Sequence, residues 1–156
     1  MGECVFCDIV AGTVPCHRVW EDDEYLAFLS IFPNTPGVTV VIPKQHWSSY
    51  AFELPDDVLT GLVIATKRVA LMLDAGLDDV GRTGMIFEGF GVDHVHSKLF
   101  PMHGTAELGG WRPIHGEIDT YFARYEGYLS SHDCARAEDS DLAALAKAIR
   151  DQRPCA

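Results

Sequence analysis

The stretch Asp93-His94-Val95-His96-Ser97-Lys98-Leu99-Phe100-Pro101 decides how this chain is read. In an extended strand, successive side chains point to opposite faces. His94, His96 and Lys98 then share one face, and Val95, Ser97 and Leu99 share the other. Two imidazoles and an ammonium in a row bury poorly unless something anionic or metallic meets them. The first face is the place for chemistry.

Outward from that stretch, Thr83-Gly84-Met85-Ile86-Phe87-Glu88 reads as another strand. The short turn Gly89-Phe90-Gly91 joins the two, so they are expected as antiparallel neighbours. Val38-Thr39-Val40-Val41-Ile42 is a β-branched run of strand length. Pro33-Asn34-Thr35-Pro36-Gly37 turns into it and Pro43 ends it. Arg18-Val19-Trp20 and Tyr25-Leu26-Ala27-Phe28-Leu29 flank the acidic turn Glu21-Asp22-Asp23-Glu24, which predicts a hairpin. At Leu54-Pro55-Asp56-Asp57 the period changes, because proline with acids beside it is a helix start signal. Val58, Leu59, Leu62, Val63, Thr66, Val69, Ala70 and Leu73 recur at helical spacing, and Gly76 is the stop. That predicts a helix of about five turns, its stripe facing a core or a dimer interface.

The bulk numbers bound the class. At 156 residues the chain is expected to be one domain with a sizeable core. Hydrophobic residues at 47% and charged residues at 22% are those of an ordinary globular protein. No apolar run approaches the roughly 20 residues that span a bilayer, and Met1-Gly2-Glu3-Cys4 lacks the pattern of a secretory signal. Five cysteines, odd in number with Cys4 and Cys7 close together, argue against a disulfide framework and for a reducing cytoplasm. The net charge of −11 argues against a nucleic-acid or anionic-membrane surface. A few local cations can still hold a small anionic ligand.

Several residues have two readings on pattern alone. Cys4-Val5-Phe6-Cys7 can place two thiolates on one cation or form a reduced, buried pair, and zinc sites usually need four ligands. His46 is a surface, packing or ligand histidine. His103 is a loop histidine near enough in sequence to supply a proton. Further on, Tyr121 to Tyr125 and Tyr128 to Ser130 are expected to add a short helix and a strand. Leu142, Leu145, Ala146 and Ile149 predict a helix over Asp139 to Arg150, capped by Ser140 or Asp139.

Cys4 and Cys7, then Ile42-Pro43-Lys44-Gln45-His46, then His94-Val95-His96 with Pro101 occur in an order that resembles the histidine-triad superfamily of nucleotide hydrolases and transferases. The match covers roughly Cys4 to Met102. The resemblance implies a homodimer-forming α+β fold. An antiparallel sheet of about five strands carries one long helix over residues 1–104, and residues 105–156 are a C-terminal extension packed on the same domain. It implies a small-molecule nucleotide partner, with Phe28, Ser30, Phe87, His96 and Lys98 at the nucleotide. It implies that His96 is the nucleophile, attacking an α-phosphate to form a nucleotidyl-imidazole that water hydrolyses. It also implies structural zinc on Cys4, Cys7, His46 and His94, a closed tetrahedral set that would contribute directly to folding.

The chain departs from the family at several positions. Lys98 stands where hydrolases usually have a third histidine and some transferases glutamine. Ser30 replaces the acidic or amide residue that contacts ribose, and Phe87 an asparagine. The usual Pro-Gly-His becomes Pro36-Gly37-Val38, and Pro101-Met102 follows the triad. A lysine is a hydrated cation with three donors. At position 98 it should disfavour the His96 imidazolium, bind phosphate oxygens and stabilise charge in the transition state. Three functions follow: a hydrolase of nucleoside phosphoramidates or dinucleoside polyphosphates, a zinc-stabilised nucleotide-binding module without turnover, or a nucleotidyltransferase. His96, still in place, favours the first.

Overall fold

The computed structural model describes residues 4–107, 110–116, 120–127 and 135–151. The elements in order are helix α1 (Val5–Val10), strands β1 (Arg18–Glu21), β2 (Tyr25–Leu29) and β3 (Thr39–Pro43), helix α2 (Asp56–Gly76), strands β4 (Thr83–Ile86) and β5 (Ser97–Pro101), and helix α3 (Asp139–Asp151). A single 3-10 turn, Ala51–Glu53, precedes α2. The strands form one antiparallel sheet in the order β1-β2-β3-β5-β4, the expected α+β architecture. Among the described residues no helix is long and apolar enough to cross a membrane.

The expected hairpin is β1–β2, with Trp20 opposite Ala27. Between β2 and β3 the chain reverses at Gly37, whose φ of +85° lies in the left-handed region that favours glycine. A Cβ there would stand 3.0 Å from Leu77 Cδ1 and 3.1 Å from Pro101 Cγ, so the turn packs tightly against the sheet end.

The two faces of the sheet bury different things. On one face, Ala27, Leu29, Val41 and Leu99 meet Leu62, Ala65, Val69 and Leu73 of α2 and Leu142, Ala146 and Ile149 of α3. The helical stripe read from the sequence is thus the core face. Fully burying each aliphatic side chain is worth roughly 1.5–3 kcal/mol relative to exposure. On the other face, Leu26, Phe28, Val40 and Ile42 form a smaller cluster with Phe6 of α1.

The histidine stretch keeps the expected alternation but is a regular strand only from Ser97. Val95 and Leu99 are buried in the helix-side core, and His94 and His96 are buried outside it. The β3–β5 pairing runs from Thr39–Leu99 to Val41–Ser97, and its continuation would bring Pro43 to Val95. Proline has no N–H to donate to the ladder. The Val95 N–H bonds instead to the Trp47 carbonyl, 3.0 Å away.

Two further expectations change. Residues 120–127 contain no regular element, and the strand expected over 128–130 lies outside the described residues. The third helix begins at Asp139 itself. That carboxylate pairs with His17 at 2.8 Å and with Arg136 at 3.1 Å rather than capping the helix.

Candidate functional site

Helix α1 is only one and a half turns long, and Cys4 is its N-cap, accepting the Cys7 N–H at 3.4 Å. One turn of helix brings both sulfurs to the same end. They face His94 and His46, which the fold carries in from the stretch before β5 and the loop after β3. The Nε2 of His94 lies 2.9 Å from the Pro43 carbonyl oxygen. A carbonyl only accepts, so Nε2 holds the proton and Nδ1 presents its lone pair. That Nδ1 is 3.5 Å from Cys4 Sγ and 3.7 Å from Cys7 Sγ, and His46 Nδ1 is 3.4 Å from Cys7 Sγ. All four ligand atoms lie within 4.8 Å of one another, an arrangement that can hold a metal ion.

Burial and then the adjoining Cys4 sulfur push the Cys7 thiol up to about 11. A metal must therefore displace protons to bind. Burial holds His94 below the ordinary imidazole value, which favours the neutral ring that a metal needs.

Two residues along the same face, His96 Nδ1 is 2.7 Å from the carbonyl oxygen of His94. The same logic assigns the proton to Nδ1 and the lone pair to Nε2. Burial, aided by the Lys98 charge, holds this ring below its ordinary value despite the opposing pull of the carbonyl bond and Glu88. A neutral imidazole with a fixed tautomer can act as a nucleophile. The Phe6 ring stands edge-on to His94, His96 and Phe28, at centroid distances of 5.9, 5.3 and 5.5 Å. One phenyl ring therefore braces the metal-type cluster and the candidate nucleophile together.

The remaining expected site residues scatter. Phe28 is buried behind Phe6 on the histidine face. Ser30 sits one residue past β2, its Oγ accepting the Phe32 N–H at 3.2 Å. Phe87 packs against the helix-side core, away from the histidine face, because it has the opposite strand parity to Ile86 and Glu88. Lys98 is ion-paired with Glu88, Nζ to Oε1 2.6 Å. His103 is no proton source for His96. Its ring nitrogens face Asp79 Oδ1 at 2.9 Å and the Pro36 carbonyl oxygen at 2.8 Å, beyond the other end of β5.

Phe6 and Glu88 were not among the residues expected at the site. For Glu88 the signal was present: period-two alternation through Ile86 puts it on the face that Lys98 occupies, since Ile86 and Lys98 are paired.

The HIT domain family matches residues 11–104, from the end of α1 to just past β5. The chain belongs to the HIT domain family. One HIT relative, an uncharacterized HIT-like protein of Methanocaldococcus jannaschii, is 36% identical over 110 residues, covering 67% of this chain and 84% of its own. The adenosine 5′-monophosphoramidase hnt1 of Schizosaccharomyces pombe is 35% identical over 99 residues, 63% of this chain and 73% of that protein. A zinc-bound histidine triad family protein from Mycobacterium smegmatis shares the fold with a TM-score of 0.67. At 24% identity the alignment covers 95% of this chain and 91% of that one.

Proposed function

We propose that this HIT protein is a nucleotide-binding phosphohydrolase. It cleaves nucleoside phosphoramidates or dinucleoside polyphosphates through a covalent nucleotidyl-His96 intermediate. The bond from His96 Nδ1 to the His94 carbonyl carries the reading, since it leaves the Nε2 lone pair available for attack. The Nε2 lone pair forms the bond to the α-phosphorus as the bond to the leaving atom breaks and its electron pair departs. A leaving nitrogen takes a proton from water, whereas a leaving phosphate chain departs as the anion. Water then attacks phosphorus, gives up a proton to solvent, and releases the nucleoside monophosphate with the pair back on Nε2. Lys98 stabilises the charge that builds on the phosphoryl oxygens. The monophosphoramidase activity in the name of the fission-yeast relative supports this direction.

The reading assigns structural zinc to Cys4, Cys7, His46 and His94. A tetrahedral Zn²⁺ with Zn–S of about 2.3 Å and Zn–N of about 2.0 Å separates sulfur from nitrogen by roughly 3.5 Å. The observed separations of 3.5, 3.7 and 3.4 Å fit that edge. Four protein ligands would leave a bound ion no open position, so these residues would use it to clamp α1 and the histidine stretch to the sheet. The reading also takes the protein as a homodimer. Ile64 and Leu71, both exposed and seven residues apart on α2, offer an apolar stripe to a second copy.

The test is intact-mass analysis after mixing the protein with a nucleoside 5′-phosphoramidate. One nucleotidyl group should appear on His96, with release of the monophosphate. His96→Ala should abolish both while keeping its thermal midpoint. No adduct and no release, from a phosphoramidate or a dinucleoside polyphosphate, would overturn the reading.

A further inference from the structure

The Lys98–Glu88 pair is the feature of this groove that neither the family match nor the nucleophile accounts for. The pair is well shielded, with the Glu88 side chain 7% exposed and the Lys98 side chain 17%. Desolvating two charges is costly even when they meet, so the pair is weak evidence for stability and stronger evidence for a task. Its placement is built in by the sheet. Ile86 pairs with Lys98, and Glu88, two residues further, extends that face toward the partner of His96. The carboxylate then reaches diagonally back to the ammonium. Just beyond it the chain turns at Gly89, where φ is +76° and a Cβ would stand 3.0 Å from the Ser49 carbonyl oxygen. The backbone next to Glu88 is thus seated closely against the segment that follows β3.

Side chains two apart on a strand stand about 6.6 Å apart. A phosphoryl group in front of His96 therefore lies one side chain from the spot where Lys98 and Glu88 meet, close enough for both charges to act on the ring. An ammonium alone would draw a phosphate chain to that spot. An ammonium with a shielded carboxylate 2.6 Å away offers a donor with little net positive charge, and the carboxylate repels any anion that follows the α-phosphate.

We propose that Glu88 is a specificity-determining residue of this groove: it holds the Lys98 ammonium beside the phosphoryl group and excludes leaving groups that are phosphate chains. The substrates selected are nucleoside monophosphates joined to an uncharged or amine-type group. This rests on the hydrolase reading above, and it narrows that reading to one substrate class.

The test pairs two measurements. In the first, kcat/KM is compared for a nucleoside 5′-phosphoramidate and a dinucleoside tetraphosphate of the same base. The wild type should favour the phosphoramidate, Glu88→Gln should lower that ratio by about tenfold or more, and Glu88→Asp should restore most of it. A structural defect lowers both substrates together and leaves the ratio alone. In the second, the wild type should bind the nucleoside monophosphate more tightly than the corresponding triphosphate. In Glu88→Gln that order should level or invert. A wild type that turns over the phosphoramidate but binds triphosphate as tightly as monophosphate overturns the Glu88 assignment alone, as does an unchanged ratio in Glu88→Gln. No turnover or adduct with the binding order and its Glu88 dependence intact overturns the hydrolase reading and supports the charge filter.

Discussion

Stripping the metal should separate the clamp from the rest of the fold. Helix α1 has six residues, too short to be stable by itself in water. It is held by Phe6 in the smaller cluster and by the Cys4–Cys7–His46–His94 set. Cys7 is the informative ligand to remove, because it is only half-buried and its other polar contacts in the cluster are to His46 and His94. Without metal, Cys7→Ala is a near-surface change worth within about 0.5 kcal/mol. With free Zn²⁺ at 100 to 1,000 times its dissociation constant, the wild type gains about 2.7 to 4.1 kcal/mol from binding only the folded state. For a chain of this size each kcal/mol moves the thermal midpoint by about 2–4 °C. The wild type should therefore lose roughly 5–16 °C on chelation.

The assay is thermal unfolding of wild type and Cys7→Ala, each with and without chelator, alongside elemental analysis. Wild type should carry close to one zinc per chain. Chelation should bring it down to the midpoint of Cys7→Ala, which itself should barely respond. A zinc-loaded wild type whose midpoint does not move when the metal is verifiably removed would refute the clamp. A metal content far below one per chain would refute zinc at this site.

Two further outcomes follow from side chains away from the groove. The Pro36 carbonyl and then Asp79 hold His103 above the ordinary imidazole value. A raised folded value means the stabilisation is fully present below about pH 6.5 and lost as pH rises through the folded value. The midpoint gap between wild type and His103→Asn should thus be largest near about pH 5.5 and narrow by about pH 8.5; a gap that widens with pH would contradict it. On α2, Leu71→Glu puts a charge into the exposed Ile64–Leu71 stripe. Light scattering should show the wild type at twice the chain mass and the variant at one chain mass with its fold retained. A wild type that runs at a single chain mass removes the dimer.

What could be read in the sequence divides along physical lines. Strands and the long helix were legible because burial imposes a period. Val41, Leu99 and the Leu62-to-Leu73 stripe each sit where alternation or 3.6-residue spacing puts them. The separation of the two faces of the histidine stretch was legible for the same reason. The metal-type cluster needed the order of distant motifs, since neither the cysteine pair nor His46 means much alone. Phe87 was misplaced because matching it to a family position ignored its parity. Asn or Phe, residue 87 points with Met85 and away from Ile86 and Lys98. Glu88 was overlooked for a related reason. On its own Lys98 reads as a lone cation, whereas a partly buried ammonium demands a counter-charge on its own face. In an antiparallel neighbour the candidates for that counter-charge are the residues opposite and diagonal to it, here Ile86, Gly84 and Glu88, and only Glu88 carries a charge. Taken that way, the lysine that stands in place of a histidine at position 98 meets a carboxylate on its own face. The groove has kept its nucleophile and altered the charge of the seat beside it.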